Sequence, residues 1–289
     1  MRHFTESSAL GKRISRRFVA GLTLEDAIAA IAAVNRLGMS ATLDPLGENV
    51  TSQAAAEQAA TTACGILETV HNRRVDSTVS VKLTQFGLDL GLDLARTQLR
   101  RVLTAAQQWD TFIRVDMEGC AYTDTTVAMV EQMHAEGFNL GTVLQAYLHR
   151  TTQDMERLLA QKIRIRLVKG AYKEPANLAL QEKSDVDANY IRLMHRLLEQ
   201  DAGYHAIATH DERMIEAAVA TARSAQRAPD SFEFQMLYGI RRDLQQRLRA
   251  EGWRVRVYIP FGPEWYPYFM RRLAERPANL LFLLKNLTK

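Results

Sequence analysis

Short β-rich runs alternate with longer stretches of helical period along almost the whole chain, and that alternation limits the available folds more than any other feature. The runs that read as strands are 39–43, 78–82, 111–115, 142–146, 164–168, 204–209, 232–235 and 254–259. They are rich in Val, Ile, Thr, Phe and Tyr and are bounded by turn residues. Between them, helical spacing of apolar residues marks 24–37, 53–72, 94–108, 125–136, 155–161, 186–199, 212–225 and 240–251. Alternation of this kind implies parallel strands, because each helix is the crossover that returns the chain to the same edge of the sheet. Eight such units close on themselves, so the expected fold is a single (β/α)8 barrel over 39–289. A basic segment, 1–21, precedes it and is expected to pack as a helical extension outside the barrel. No low-complexity stretch or composition shift marks an internal boundary, so one domain over 1–289 is expected.

The composition fits this scheme. With 289 residues, 47% hydrophobic and 24% charged, the chain has the make-up of a globular protein with a sizeable core. Its formal net charge is only +4, which gives no ground for a nucleic-acid partner. There is no secretory leader, and the apolar run 279–284 is too short to span a bilayer. A soluble, cytoplasmic protein is expected. The two cysteines, Cys64 and Cys120, stand in no metal-ligand spacing and suit a reducing compartment as packing residues.

In a (β/α)8 barrel the chemistry lies at the C-terminal ends of the strands. Here those ends are unusually polar: Asp44 and Glu48, Lys82, Asp116 and Glu118, Gln145 and Tyr147, Arg166, Lys169 and Tyr172, Thr209, His210 and Asp211, Gln235, and Tyr258. Lys82 closes an otherwise apolar run, so it needs either an acidic partner or an anionic ligand. Asp116 shares a strand face with Arg114, and a structural ion pair between them competes with a role in the site. His210 has no second His or Cys at metal spacing, which argues against a metal. Met117 and Met236 read as packing residues. In the last region, YIPFGPEWYPYFMRRLAE, a strand end at Tyr258 leads through a Gly/Pro turn into a helix bearing Arg271 and Arg272. Two guanidiniums there can fork a carboxylate, or can form an exposed pair matched by Glu275. No G-x-G-x-x-G and no P-loop is present, which argues against a Rossmann nicotinamide enzyme but leaves a flavin held by barrel loops open.

Taken together, the strings LDPLGE, SVKLTQFG, RVDMEG, LQAYLHRT, RLVKGAYKE, ATHD, FEFQMLYGIR and VYIPFGPEWYPYFMRRLAE resemble the proline dehydrogenase family, in the family's order, from about Asp44 to Asn286. The length is similar to that of the bacterial single-function enzymes. The resemblance implies a distorted TIM-type barrel binding FAD noncovalently and oxidising L-proline to Δ1-pyrroline-5-carboxylate, the first step of proline catabolism to glutamate. It implies a membrane quinone as electron acceptor, peripheral association with the inner face of the membrane, and functional coupling to a pyrroline-5-carboxylate dehydrogenase. By the same resemblance, Arg166 lies near the reactive flavin nitrogen, Lys169, Gly170 and Ala171 meet the cofactor, Gln145 hydrogen-bonds the flavin ring, Met117 touches it by its backbone, and Thr209 and His210 complete that side. Lys82, Arg271 and Arg272 hold the substrate carboxylate, and Asp116 holds Lys82 or Arg166. Tyr258, Tyr172 and Leu237 pack the proline ring, and Glu48 pairs with Arg271 as a gate. Family members that prefer hydroxyproline carry a smaller residue in place of Tyr258.

Elementary chemistry agrees with that assignment. An amino acid's carboxylate needs two or three cations, and strand two and the last helix can supply them from either side of the barrel seam. Two rivals remain open from the residues alone. One is a Schiff-base lyase using Lys82 or Lys169 as nucleophile; the other is a barrel that only binds an amino acid.

Overall fold

Each strand carries outward-facing apolar residues that must be covered, and the helix following it supplies the cover. The structure, a computed structural model, describes residues 17–200 and 203–274. The strands are β1 (Ser40–Pro45), β2 (Ser77–Val81), β3 (Ile113–Val115), β4 (Leu140–Gln145), β5 (Arg164–Val168), β6 (Ala206–Ala208), β7 (Glu233–Leu237) and β8 (Val255–Phe261). They pair in sequence order, all parallel, and β8 closes back on β1. The helices are α1 (Leu24–Arg36), α2 (Gln53–Asn72), α3 (Leu92–Gln107), α4 (Thr123–Ala135), α5 (Thr151–Ala160), α6 (Lys183–Gln200), α7 (Glu212–Ser224), α8 (Arg242–Ala250) and α9 (Trp265–Ala274). All eight strands expected from the sequence are present, as is the closed barrel. Helix α1 is fixed at its start by a reciprocal capping box between Thr23 and Asp26, and α2 by the Ser52 side chain, which accepts from Ala55 N.

Alternation along each strand sorts its residues into two populations. Val79, Val81, Ile113, Val115, Ile165, Leu167, Ile207, Phe234, Val257 and Ile259 face outward, fully buried under the helices. The hydrophobic core is therefore a ring around the barrel. The lumen is different. Barrel interiors are commonly filled with bulky branched residues, whereas here Ser80, Arg114, Asp116, Arg166, Glu233, Gln235, Arg256 and Tyr258 point inward. Gly141 shows how tight this lumen is, since a Cβ there would lie 2.2 Å from the Arg164 carbonyl oxygen and 3.0 Å from Arg114 Nη1.

Residues 17–21 form a turn rather than a helix, which corrects the expected helical extension over that stretch. Residues 1–16 of it lie outside the described residues, as do Glu275 and the apolar run 279–284. Phe18 and Val19 bury themselves against Trp265, Tyr268 and Phe269 of α9 in a second apolar cluster. Ala20 N donates to the Pro260 carbonyl at 2.9 Å, and Gly262 N donates to that of Gly21 at 3.0 Å. Gly239, at φ +75°, permits this crossing: a Cβ there would fall 1.7 Å from the Arg17 carbonyl oxygen. The first described residues thus brace the helix that carries Arg271 and Arg272.

Candidate active site

The C-terminal mouth of the barrel gathers most of the polar residues singled out in the sequence. Asp116, one residue beyond β3, is the hub. Its Oδ1 accepts from Arg166 Nη1 at 2.6 Å and its Oδ2 from the Tyr258 hydroxyl at 2.8 Å. Lys82 Nζ stands 3.9 Å from Oδ2. The alternative partner, Arg114, instead donates Nη1 to the carbonyls of Thr142 and Arg164, where burial and the nearby Arg166 hold its guanidinium below its usual value. Of the two cations considered for Asp116, Arg166 is the direct partner. Lys82 is bound more closely by Asp44, at 2.6 Å.

The charge of Lys82 is secure. Burial disfavours its ammonium, but Asp44 and Asp116 outweigh that and hold it above its ordinary value. Lys169, half-buried, donates to Asp187 at 2.7 Å and to Asp211 at 3.0 Å. Asp211 also caps α7 by accepting from Arg213 N. Lys82 is thus not poised as a neutral nucleophile, and Lys169 is tied to two carboxylates, which weighs against Schiff-base chemistry.

Arg271, on α9, donates to Glu48 Oε1 at 2.5 Å. These two and Lys82 line one cavity of about 280 Å³, together with Leu46, Gly47, Val50, Glu264, Pro267 and Tyr268. Arg272 is not in that lining; its guanidinium lies 5.2 Å over the Tyr268 ring. Tyr172, half-buried, feels Glu48, Lys82 and Arg271. Burial first, then Glu48, pushes its hydroxyl up to about 12, so it stays protonated. Burial, then Asp116 and Asp44, likewise raise Tyr258. Its ring lies under Arg166, 5.2 Å from the guanidinium carbon.

The ends of β4, β5 and β6 form another sector. Gln145 Nε2 donates to the Glu118 carbonyl at 3.0 Å, and the Thr209 hydroxyl accepts from Asp211 N at 3.1 Å. His210 Nε2 accepts from Leu237 N at 2.8 Å, which places its ring proton on Nδ1. Met117 is buried, Leu237 half-buried and Ala171 exposed. Gly170, at φ +123°, lies against the Tyr147 ring, where a Cβ would meet it at 2.3 Å; only glycine allows this close turn after β5. Lys169, Arg166, Gln145 and Thr209 bring hydrogen-bonding side chains to this sector that could meet a cofactor, with both cations held in place by carboxylates: Lys169 by Asp187 and Asp211, Arg166 by Asp116.

Three features were not given roles from the sequence. Asp44 is the main counter-ion of Lys82. Ser80, on the lumen face of β2, accepts from Arg166 Nη2 at 3.1 Å. Glu118 accepts from the amide and the hydroxyl of Thr84, at 3.2 and 2.5 Å, tying the loop after β2 to the loop after β3. Cys120 packs against the Tyr147, Leu148 and Ala179 cluster, as expected of it, and its thiol also donates to Glu174 at 2.6 Å.

Burial raises Glu118 against the hydrogen bonds from Thr84. A folded-state pKa above the unfolded value of 4.5 means its stabilising contribution is complete below that value and fades as pH rises through the folded pKa. Glu118→Gln stays neutral throughout. The stability of the variant relative to wild type should therefore improve as pH is raised from below 4.5 to neutrality. Chemical denaturation at several pH values measures this, and a pH-independent difference would contradict it.

The fold is that of a TIM-type barrel with charged groups concentrated at the catalytic end of the strands. The chain belongs to the proline dehydrogenase family: the family model described as Proline dehydrogenase matches residues 27–285. Proline dehydrogenase 1 of Bacillus subtilis strain 168 is 42% identical over 284 residues, covering 98% of this chain and 94% of that protein. Proline dehydrogenase of Deinococcus radiodurans is 42% identical over 283 residues, covering 96% and 90%. Among solved structures, proline utilization A (PutA) from Bdellovibrio bacteriovorus, inactivated by N-propargylglycine, superposes with a TM-score of 0.84 at 24% identity. That match covers 91% of this chain and 32% of the other, so the present chain spans about a third of that longer protein.

Proposed function

We propose that this protein oxidises L-proline to Δ1-pyrroline-5-carboxylate with noncovalently bound FAD and passes the electrons to a membrane quinone. The observation that carries the reading is the meeting of Lys82 and Arg271 in one cavity beside the Asp116, Arg166 and Tyr258 cluster. The 42% identical relatives named proline dehydrogenase support the substrate.

Lys82 and Arg271 hold the substrate carboxylate, with Arg272 as a further arm of the clamp. Glu48 occupies Arg271 until the carboxylate competes for it, so this pair acts as a gate over the bound substrate. Tyr172 and Leu237, with the Tyr258 ring, enclose the proline ring and exclude water. Asp116 fixes Arg166 and Tyr258. Gln145, Arg166, Lys169, Gly170, Ala171, Thr209, His210 and the backbone of Met117 are the residues that hold FAD. When bound, the flavin would supply the two-electron acceptor for the hydride of the ring carbon next to nitrogen; with the nitrogen's proton released to solvent, the neutral amine would become the imine. No helix among the described residues is long and apolar enough to cross a membrane; on this reading the protein would meet a membrane quinone by peripheral contact. A pyrroline-5-carboxylate dehydrogenase is the partner that consumes the product.

The deciding experiment is spectroscopic. The purified protein should be yellow, proline should bleach it, and soluble quinone analogues should restore the colour. A colourless protein, or one reoxidised by NAD and not by quinones, contradicts the proposal. The same measurement separates an oxidase site from an amino-acid sensor.

Tyr258 sets a second outcome. Its ring crowds the substrate carbon that would bear a hydroxyl in trans-4-hydroxy-L-proline, and overpacking of this kind costs about 1–3 kcal/mol. Proline should be preferred by about ten-fold or more. Tyr258→Ser should narrow that ratio while lowering proline efficiency, as the bond to Asp116 and the contact with Arg166 are lost. Comparing kcat/KM for the two substrates in both proteins tests this; an unchanged ratio reduces Tyr258 to rim packing.

A further inference from the structure

Below the mouth, the barrel lumen holds a second layer of charge that the mechanism above does not use. Glu233, at the start of β7, is 3% exposed. It accepts from Arg256 Nε at 2.9 Å to each oxygen and from the Tyr204 hydroxyl at 2.9 Å. Burial alone would raise its carboxyl, but Arg256 prevails and holds it below the ordinary carboxylate value. Arg256 is itself anchored, donating Nη1 to the Ala41 carbonyl at 2.7 Å. Two residues on, and on the same strand face, Gln235 bridges upward: its Nε2 donates to Glu233 Oε1 at 2.5 Å, and its Oε1 accepts from Arg166 Nε at 2.5 Å.

We infer that Gln235 and Glu233 are positioning residues for Arg166, with the Glu233 carboxylate fixing which end of the Gln235 amide faces the guanidinium. A glutamine amide can present either its oxygen or its NH2 group. Here the reversed orientation would set NH2 against the N–H of Arg166 and a carbonyl against a carboxylate, so both contacts would become repulsive in a buried, low-dielectric interior. The buried charge at the floor of the barrel thereby selects one orientation. Arg166 has three acceptors, Asp116, Ser80 and Gln235. Asp116 also serves Tyr258 and neighbours Lys82 at the substrate end, whereas Gln235 reaches Arg166 from the opposite, floor side. Loss of Gln235 should disturb the guanidinium while sparing the carboxylate clamp. The inference rests on the reading above that Arg166 faces the flavin, where a well-placed cation favours the reduced, more negative form.

The test uses the full chain with its bound flavin. Gln235→Met keeps the length and removes both hydrogen bonds. In Gln235→Met, kcat should fall by about ten-fold while KM for proline stays within about two-fold. The midpoint potential of the flavin should move to a more negative value. A folded Gln235→Met with wild-type kcat and potential overturns the inference, as does a loss confined to KM. If Gln235→Met fails to fold, Glu233→Gln decides: it leaves the amide orientation unselected, so the same pair of losses is expected, and wild-type values overturn the inference. A wild-type protein that holds no flavin is a different failure, for it removes the parent reading; a flavin-bearing wild type indistinguishable from Gln235→Met removes this inference alone.

Discussion

Arg271→Met should reduce kcat/KM for proline by about 2–4 kcal/mol, the cost of removing one member of a charge-assisted contact to a bound carboxylate. Arg271 is the guanidinium of α9 that lines the cavity with Lys82, and the substrate must draw it from Glu48. Removing it leaves Lys82 facing the carboxylate with Asp44 already bound at 2.6 Å, so the remaining cation is partly neutralised before substrate arrives. The larger part of the loss should fall on KM, since the clamp holds substrate and transition state alike. Steady-state kinetics with proline measure it. Values near wild type would remove Arg271 from the substrate site. Arg272→Met makes a useful companion, because Arg272 lies over Tyr268 and outside the cavity lining; equal losses in both variants would mean that the bound state draws Arg272 inward.

Asp116→Ala should be the most destabilising single change at the mouth. It strips the direct carboxylate from Arg166 and the acceptor from Tyr258, and leaves Lys82 with Asp44 as its remaining close anion. Removing one side of a buried pair leaves an uncompensated charge, at a cost of about 3–5 kcal/mol. Proline turnover should collapse with it, because Arg166 and Tyr258 lose their common anchor. Denaturant unfolding gives the stability change and kinetics the activity change. A variant as stable as wild type would show that Ser80, Gln235 and Asp44 suffice to hold the cations.

The ring of strands and the polar character of its mouth were legible because both follow from short-range pattern. Every second residue of a half-polar strand faces the lumen, and the strand ends collect at one face. The floor layer follows from the same rule but is harder to see. FEFQML and VRVYIP carry Glu233 and Gln235, and Arg256 and Tyr258, at alternate positions, whereas strands covered on both faces usually run continuously apolar. That polar alternation was the available signal for a charged lumen. Partner choice was not available from it. Arg114 shares a strand with Asp116, yet Arg166, 50 residues away, takes the carboxylate, because the tilt and stagger of the strands decide which inward residues meet. For the same reason Asp44 could be placed at a strand end without its bond to Lys82 being foreseen. The turn at 17–21 escaped because its basic residues suggested an independent helix, while Phe18 and Val19 turn inward to α9.

That brace between the first described residues and the last described helix has a consequence for the order of events at the ribosome. The gate pair Glu48 and Arg271 is separated by 223 positions, and α9 is seated by contacts with residues 18 and 19. No partly synthesised chain that lacks α9 can complete the carboxylate clamp, even where its earlier strands have paired. Contacts so distant in sequence form late, after the entropic cost of closing the intervening chain has been met. Competence to take up substrate is thus acquired only after α9 has been made and seated against residues 18 and 19.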